Sequence, residues 1–262
     1  MPTEIPAEES RLFVGSIAKC FQVLEALNKV DRPVGILELS LIVDLDRSAV
    51  QRITHTLRAL GYLKQDPSTR ALSLSSRMLE FGHTSLANNR VLEIAHPYLE
   101  RLCKRTGETI NLIELAGDEI VYVGRYPGRH PLTVDIHVGS RLPAFCTASG
   151  RAILSRFGEK EITDLLERKV RRQFTVHTVT DSATLLSLID KAGFDGYAVN
   201  NQEIFLGDIS LAAALVNASG KPLAAINLAA PMPRWTLEQV HSYLVPQLVS
   251  TTTSVNKALS RL

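Results

Sequence analysis

The feature that most constrains this chain is the run over residues 46–60, DRSAVQRITHTLRAL, which Gly61 follows. Its apolar residues recur at helical spacing, which predicts an amphipathic helix with one narrow buried stripe. The stripe consists of Val50, Ile53, Leu57 and Leu60. Asp46 is a favourable N-cap residue, and glycine is typical just past a helix end. The run therefore predicts a helix that packs by one side only.

The other side of this helix carries polar side chains and no acid: Arg47, Ser48, Gln51, Arg52 and His55. Arginine can bond guanine with two hydrogen bonds, glutamine can do the same for adenine, and serine can contact a base or a phosphate. We interpret the run as a recognition helix. The alternative is a solvated basic face, which is common on surface helices.

The neighbouring segments favour the first interpretation. Residues 16–28 form a first helical pattern, with Ile17, Cys20, Phe21, Leu24 and Leu27 on one side, and residues 36–43 form a short second helix. Two short helices separated by a tight turn are typical of a helix-turn-helix. After the third helix, two extended pieces flank the turn residues 66–70 and predict a hairpin, or wing. Residues 15–75 are thus predicted to form a winged helix-turn-helix domain.

The charge of the whole chain, +2, does not by itself indicate a nucleic-acid partner. Between residues 46 and 77, however, the sequence has six Arg and Lys residues and only two acidic residues, Asp46 and Asp66. A local basic face is what contact with phosphates requires. We expect Arg58, Lys64 and Arg70 to hold phosphates. The full set of predicted DNA-binding residues is Arg47, Ser48, Gln51, Arg52, His55, Arg58, Lys64 and Arg70.

The remaining chain is long enough for a second domain, since the sequence has 262 residues. We expect residues 1–14 to form a flexible tail, residues 76–90 a linker helix interrupted at Gly82, and residues 91–262 the second domain. Its strand and helix patterns, which include a strand over 132–138, predict an α+β architecture. A helix over 151–157 follows the small residues 147–150. Its first amides could receive a carboxylate, or Thr147 or Ser149 could merely cap the helix.

Short strings spread over most of the chain resemble those of one family. They are Ser48, Val50, Arg52, Leu57 and residues 60–63 in the first part, and residues 106–109, 139–143, 148–152, 196–199 and Gly207 in the second. In this order and spacing they are similar to the IclR-type bacterial transcription regulators. The resemblance implies a GAF-like mixed α/β effector-binding domain after the winged helix-turn-helix, and a linker helix that helps to pair two subunits.

The resemblance also implies a set of effector-binding residues, because residues 147–150 line the effector pocket in this family. The positions that match are Ala148, Ser149, Asn200, Asp208, Ser210, Asn227 and Ala229. Many relatives carry cysteine at the position of Ser210 and serine at those of Asn227 and Ala229. Asp208 stands where relatives often have an apolar residue, and it would disfavour an anion if it pointed inward. A polar pocket of this kind still fits a small organic acid.

Three functions follow from these observations. The first is a transcriptional regulator of a catabolic operon that binds double-stranded promoter DNA as a homodimer or a dimer of dimers. A small organic acid, with aromatic carboxylates among the candidates, would control it. The second is a hydrolase-like enzyme that uses Ser149, although CTASG lacks the first glycine of a G-x-S-x-G elbow. The third is an architectural module that binds no ligand. We expect the first, and no enzyme.

Composition limits the compartment and the cofactors. Cys20, Cys103 and Cys146 match neither a metal-binding spacing nor a disulfide framework, so we expect no metal site and a reducing cytoplasm. Neither a P-loop nor a G-x-G-x-x-G fingerprint occurs, so we expect no cofactor. No signal peptide and no apolar stretch of about 18 residues is present, which predicts no membrane association.

Overall fold

The computed structural model describes residues 11–30, 32–130, 136–168, 170–232 and 234–260. The chain divides into two compact units, Met1–Ala87 and Asn88–Leu262. Only residues 11–14 of the expected tail lie within the described ranges.

The first unit consists of helices followed by a hairpin and one more helix. Its elements are α1 (Gly15–Lys29), α2 (Ile36–Val43), α3 (Arg47–Ala59), β1 (Leu63–Gln65), β2 (Leu72–Leu74) and α4 (Met78–Ala87). Strands β1 and β2 pair antiparallel, with Leu63 opposite Leu74. Three helices followed by this hairpin form the predicted winged helix-turn-helix fold.

Local chemistry explains the tight connection between α2 and α3. Asp44 ends α2 in the left-handed conformation, with φ 50°, and its amide bonds the carbonyl of Ser40. Asp46 then caps α3, because its carboxylate accepts a hydrogen bond from the amide of Ala49 at 2.9 Å. Gly61, with φ 82°, turns the chain at the other end of α3.

The core of the first unit differs from the predicted stripes at three positions. Leu60 is 52% exposed, because α3 ends at Ala59 and Leu60 caps it. Ile17 and Phe21 are 54% and 59% exposed, because the buried side of α1 instead runs through residues 23, 26 and 27. The buried core residues are Val23, Ala26, Leu27, Val34, Leu39, Val43, Val50, Leu57, Leu63 and Leu72.

The wing and the linker helix follow from short-range interactions. The Asp66 carboxylate accepts hydrogen bonds from the amides of Ser68 and Thr69 at 2.9 and 2.7 Å, which holds the wing turn. Helix α4 runs through Gly82 without interruption, so the predicted break there is wrong. A single glycine weakens a helix by only about 1 kcal/mol, which neighbouring residues can offset. The helical residues lie within the expected linker, and none of their side chains is buried.

The second unit is a six-stranded sheet with helices on both faces. Its elements are α5 (Arg90–Thr106), β3 (Ile110–Ala116), β4 (Glu119–Tyr126), β5 (Arg141–Pro143), α6 (Ala148–Leu154), α7 (Glu159–Glu167), α8 (Ser182–Asp195), β6 (Ala198–Asn201), β7 (Asp208–Val216), β8 (Pro222–Pro231), α9 (Leu237–Gln239), a π-turn (Val240–Leu244) and α10 (Val245–Leu259). The strand order is β5-β4-β3-β8-β7-β6. All neighbouring strands are antiparallel. The predicted α+β class is therefore confirmed.

Two apolar layers cover the two faces of this sheet. Helices α5 and α10 pack on one face, where Leu99, Leu102, Leu248 and Val255 meet alternate residues of the central strands. Helices α6 to α8 cover the other face through a second cluster. Around α6 this second layer thins to alanines, namely Ala148, Ala152, Ala192, Ala198 and Ala212. Small side chains bring α6 close to the sheet.

The segment before α6 differs from its prediction. The helix begins at Ala148 rather than at residue 151, because Thr147 is the N-cap and accepts a hydrogen bond from the amide of Gly150 at 3.1 Å. Pro143 lies within β5, as its last residue. Of the strand predicted over 132–138, residues 132–135 lie outside the described ranges, and residues 136–138 form no strand.

A proline in the middle of a helix is expected to interrupt it. Pro246 does not interrupt the C-terminal helical segment. The amide of Val245 bonds the carbonyl of Val240, five residues back, so the turn before the proline is a π-turn. Pro246 then lies in the first turn of α10, where a missing N–H group is tolerated.

Candidate functional site

The outward side of α3 and the wing carry the predicted DNA-binding residues. All of them are exposed: Arg47, Ser48, Gln51, Arg52, His55, Arg58, Lys64 and Arg70. Six of the eight line one open groove of about 1250 Å³, together with Gln65 and Leu72 of the hairpin strands. Arg47 and Lys64 lie outside that lining. The groove is thus bordered by α3 and by the wing.

The cations of this surface are not neutralised by neighbouring acids. In the part of the chain that the structure describes, no carboxylate lies within 4.0 Å of Arg47, Arg52, Arg58, Lys64 or Arg70. Exposed and unpaired cations retain their full charge for an anionic partner. The geometry therefore suits contact with a polyanion.

Ser48 is held by the N-cap of α3. Its hydroxyl donates to the carboxylate of Asp46 at 2.7 Å, and this bond is the main cause of the lowered pKa of Asp46. Because its proton is engaged, Ser48 presents mainly its oxygen lone pairs to the groove. A phosphate offers acceptors only, whereas base amino groups donate. This arrangement favours a base contact for Ser48.

A cavity in the second unit is lined by every residue predicted to bind an effector. It measures about 530 Å³ with its mouth included. The predicted residues in its lining are Ala148, Ser149, Asn200, Asp208, Ser210, Asn227 and Ala229. The cavity lies between the sheet and the start of α6, and Ile204 and Phe205 of the β6–β7 loop add to its wall.

The polar floor of the cavity follows from strand register. Arg125 of β4 lies opposite Asn111 of β3, which lies opposite Asn227 of β8. Two residues further along β8, Ala229 lies opposite Ser210 of β7, which lies opposite Asn200 of β6. Since alternate residues of a strand share a face, these two rows point to the same side of the sheet.

Sequence reasoning missed Arg125, Asn111 and Tyr122, which also line the cavity. Tyr122 and Arg125 are three residues apart, so strict alternation would put them on opposite faces. A β-bulge shifts the register: Gly124 pairs with Leu112, while Tyr122 pairs with the next residue of β3. An extra residue in one strand re-aims the side chains beyond it. The sequence signal for this bulge is Gly124, an isolated glycine inside the strand.

The floor residues are joined by hydrogen bonds. Arg125 Nη1 donates to Asn111 Oδ1 at 3.3 Å, and Asn111 Nδ2 donates to Asn227 Oδ1 at 2.9 Å. Among the described residues, no carboxylate lies within 4.0 Å of Arg125. Likewise, within the described ranges, the hydroxyls of Ser149 and Ser210 make no hydrogen bond. The cavity therefore retains free donors and acceptors.

Asp208 is the acid of the cavity. Burial raises its pKa to about 7, so the carboxyl is partly protonated near neutral pH. Burial and, after it, the charge of Asp208 raise the pKa of Tyr122, while Arg125 lowers it. The phenol is therefore neutral at physiological pH. The cavity brings together one cation, one weakly acidic carboxyl and neutral polar groups.

A buried ion pair holds the wall of the cavity. Arg151 of α6 makes two hydrogen bonds to Glu203 of the β6–β7 loop, at 2.6 and 2.7 Å, and both side chains are less than 10% exposed. Asn200 accepts from the amide of Glu203 and donates to the carbonyl of Cys146. Both polar atoms of the Asn200 side-chain amide are thus already hydrogen-bonded within the protein. The main role of Asn200 is therefore to position the β6–β7 loop in the cavity wall.

The described residues contain no group of three or more His, Cys, Asp or Glu side chains that could hold a metal ion. They also contain no helix with the length and apolar character that a membrane crossing requires.

Two family models match this chain. The model described as the IclR helix-turn-helix domain matches residues 16–67, and the bacterial transcriptional regulator IclR C-terminal model matches residues 83–257. The chain belongs to the IclR family. It is therefore a DNA-binding transcriptional regulator in class, and the resemblance inferred from the sequence strings is confirmed.

Individual relatives agree with this membership. The chain is 32% identical over 252 residues to the Pca regulon regulatory protein of Pseudomonas putida, covering 94% of this chain and 86% of the relative. A putative transcriptional regulator from Rhodococcus sp. RHA1 has a TM-score of 0.80 at 32% identity over 95% of this chain and 99% of its own. The inducer-binding domain of PobR from Acinetobacter, solved as a double mutant with 3-hydroxybenzoic acid, has a TM-score of 0.58 at 28% identity. It covers 63% of this chain and 96% of its own.

Family membership also decides between the regulator and the hydrolase. The IclR family is non-enzymatic, so the hydrolase hypothesis for Ser149 is set aside.

Proposed function

We propose that this protein regulates a catabolic operon and that a small organic carboxylate, bound in the cavity of the second unit, controls it. The observation that carries the proposal is the cavity itself. Seven predicted residues from four separate segments of the sequence line this one cavity. Aromatic acids are the first candidates, because a relative was solved with 3-hydroxybenzoic acid.

On the DNA side, we propose roles for individual residues. Arg47, Arg58, Lys64 and Arg70 hold phosphates, and Gln51, Arg52, Ser48 and His55 read bases. Their exposure and the unpaired charges along α3 and the wing support this division. The bond from Ser48 to Asp46 supports the base-reading role of that serine. Promoter DNA as partner places the protein in the cytoplasm.

The proposal includes self-association, as either a homodimer or a dimer of dimers. Two recognition helices would then enter successive major grooves of a near-palindromic operator, about 34–36 Å apart. The side chains of α4 support a contact between copies, since Leu79 and Phe81 are 72% and 59% exposed. Apolar side chains of this size are costly to leave in water.

Selection of binding sites from a pool of random duplexes tests the DNA part of the proposal. The wild-type protein is expected to enrich a motif with two related half-sites. Binding of that motif is then measured with each carboxylate of a panel present. Failure to enrich any motif would contradict the proposed DNA-binding role. Enrichment with no response to any carboxylate would contradict the proposed control.

A further inference from the structure

The lining of the cavity has a definite charge balance. Its titratable side chains, among the described residues, are Arg125, Asp208 and Tyr122. They face it from β4 and from the start of β7, and the lining residues of α6, β6 and β8 are uncharged. Tyr122 is neutral, so the balance depends on one cation and one carboxyl. A neutral Asp208 leaves one net positive charge, and an ionised Asp208 leaves none.

Resting on the proposed function, we infer that Arg125 anchors the carboxylate of the effector and, as the only cation of the described lining, limits the cavity to monoanions, which bind while Asp208 is protonated. The ligand class is then a monocarboxylate that carries a neutral hydrogen-bonding group, such as a hydroxyl. Three observations support the role of Arg125: it lines the cavity, it is the only cation in the described lining, and no carboxylate of the described residues lies within 4.0 Å of it.

Arg125 is also held in position for such a contact. Its hydrogen bond to Asn111, which in turn bonds Asn227, fixes one edge of the guanidinium against the sheet. A guanidinium has five N–H donors in a rigid fork, so those not used by Asn111 remain for a carboxylate. The bulge in β4 makes this possible, because it turns Arg125 and Tyr122 to the same face.

Asp208 must be neutral when a monoanion binds, and it offers no positive charge to a second anion. Its carboxyl makes no hydrogen bond within the described residues, and its first neighbours in the sheet are apolar or small. A monoanion neutralises Arg125 while Asp208 takes up a proton. A dicarboxylate would bring a second negative charge into the cavity with no cation to meet it, which is strongly unfavourable in a buried site. Serine hydroxyls at 149 and 210 can instead meet a neutral hydroxyl.

The test uses probes matched in shape: 3-hydroxybenzoate, the dianion isophthalate and the neutral 3-hydroxybenzamide. Benzoate, 4-hydroxybenzoate, pyruvate and glyoxylate extend the set of monocarboxylates. Calorimetric titration of the full-length wild-type protein is expected to show binding of at least one monocarboxylate. Isophthalate and the benzamide are expected to bind at least tenfold more weakly than 3-hydroxybenzoate.

Variants separate the two roles. Arg125→Gln is expected to weaken binding of the monocarboxylate by roughly 10- to 100-fold, the effect of a lost charged hydrogen bond. Arg125→Lys is expected to retain the preference for the acid over the amide. The wild type is expected to bind the monocarboxylate more weakly at pH 8 than at pH 6, because Asp208 ionises over this range. Asp208→Asn is expected to remove this difference and still to reject isophthalate, since it adds no cation. Arg101→Gln, an exposed arginine of α5, is the control and is expected to change nothing.

The inference would be overturned if Arg125→Gln bound the monocarboxylate as tightly as the wild type does. It would also be overturned if 3-hydroxybenzamide or isophthalate bound the wild type as tightly as 3-hydroxybenzoate, or if the wild type bound no monocarboxylate. The same preparations are assayed for duplex binding. Intact duplex binding with no binding of the probes would refute the inference and leave the DNA-binding role standing. Binding of the probes without binding of the duplex would refute the DNA-binding role and leave the inference about the cavity standing.

Discussion

The groove of the first unit and the cavity of the second satisfy their polar groups in different ways. Arg52 and its neighbours on α3 are exposed and carry no ion pair within the described residues, so water solvates them when the groove is empty. In the cavity, by contrast, Asn111, Asn227 and Asn200 are buried and bonded to one another or to the backbone.

This difference decides what a substitution can reveal. Removing an exposed cation costs the protein little stability, because no partner is left unsatisfied. Removing a buried group leaves its partner without a hydrogen bond and costs folding free energy. Substitutions in the groove should therefore change binding without changing stability, whereas substitutions around the cavity should change both.

Arg151→Ala should have the largest effect on stability. It leaves the buried carboxylate of Glu203 unpaired, and breaking such a pair costs about 3–5 kcal/mol. Arg141→Ala is the matched control, because the Arg141–Glu119 pair is exposed and should contribute about 0–1 kcal/mol. Urea denaturation of both variants measures the difference. Equal losses in the two would remove the contrast between buried and exposed charges.

Gly150→Ala should destabilise the protein by overpacking. A Cβ atom at this position would lie 2.0 Å from the carbonyl oxygen of Ala144, so the start of α6 must move. Overpacking of this kind costs about 1–3 kcal/mol or more. The control, Gly82→Ala in α4, meets no atom within 4 Å and should gain up to about 1 kcal/mol from helix propensity. A shift of melting temperature of the same sign in both variants would argue against the close approach of Gly150 to the carbonyl oxygen of Ala144.

Arg52→Ala should separate binding from folding. We expect it to cost roughly 1–3 kcal/mol of binding free energy and to relax base preference at one operator position. Its stability should stay within about 0.5 kcal/mol of the wild type, as for an exposed side chain. Lys64→Ala should weaken binding to all sequences alike. Gel-shift titrations on the selected motif and its single-base variants check both, and unchanged base preference in Arg52→Ala would exclude it as a base reader.

The pH dependence of stability should reveal Asp208. Burial raises the folded-state pKa of its carboxyl to about 7, so between its ordinary range and pH 7 the folded protein keeps a proton that the unfolded chain has lost. Stability therefore falls as pH rises from about 4 to 7 and levels off above the folded-state pKa. Asp208→Asn should flatten this part of the profile. An identical profile in wild type and variant, measured by urea denaturation at several pH values, would show that Asp208 is not buried as described.

The first unit could be predicted closely because its signals are local. Helix α2 has the predicted bounds, and the cap at Asp46 and the turn at Asp66 depend on residues within three positions. The errors there, Ile17, Phe21 and Leu60, concern which side of a helix finds a partner. Periodicity indicates that a helix has an apolar side, but the packing of the other elements decides how far burial extends along it.

The second unit was predictable in class and less so in its site. The seven effector residues came from a family resemblance, and they do line one cavity. Arg125 could not be found by the alternation of strand residues, because a bulge resets it. The predicted start of α6 is three residues late, because from the sequence Thr147 and Ser149 are alternative caps. These features depend on contacts between residues far apart in the chain.

The most direct test of the central claim is the affinity of the full-length protein for duplex DNA as a function of salt. If the basic side of α3 and the wing meets DNA, affinity should fall steeply with salt, with a log–log slope of about −0.9 per phosphate contacted. Replacing Arg58, Lys64 or Arg70 by Ala should reduce that slope by about 1 each. A protein that ignored duplex DNA even at low salt, or a slope unchanged in all three variants, would contradict the account.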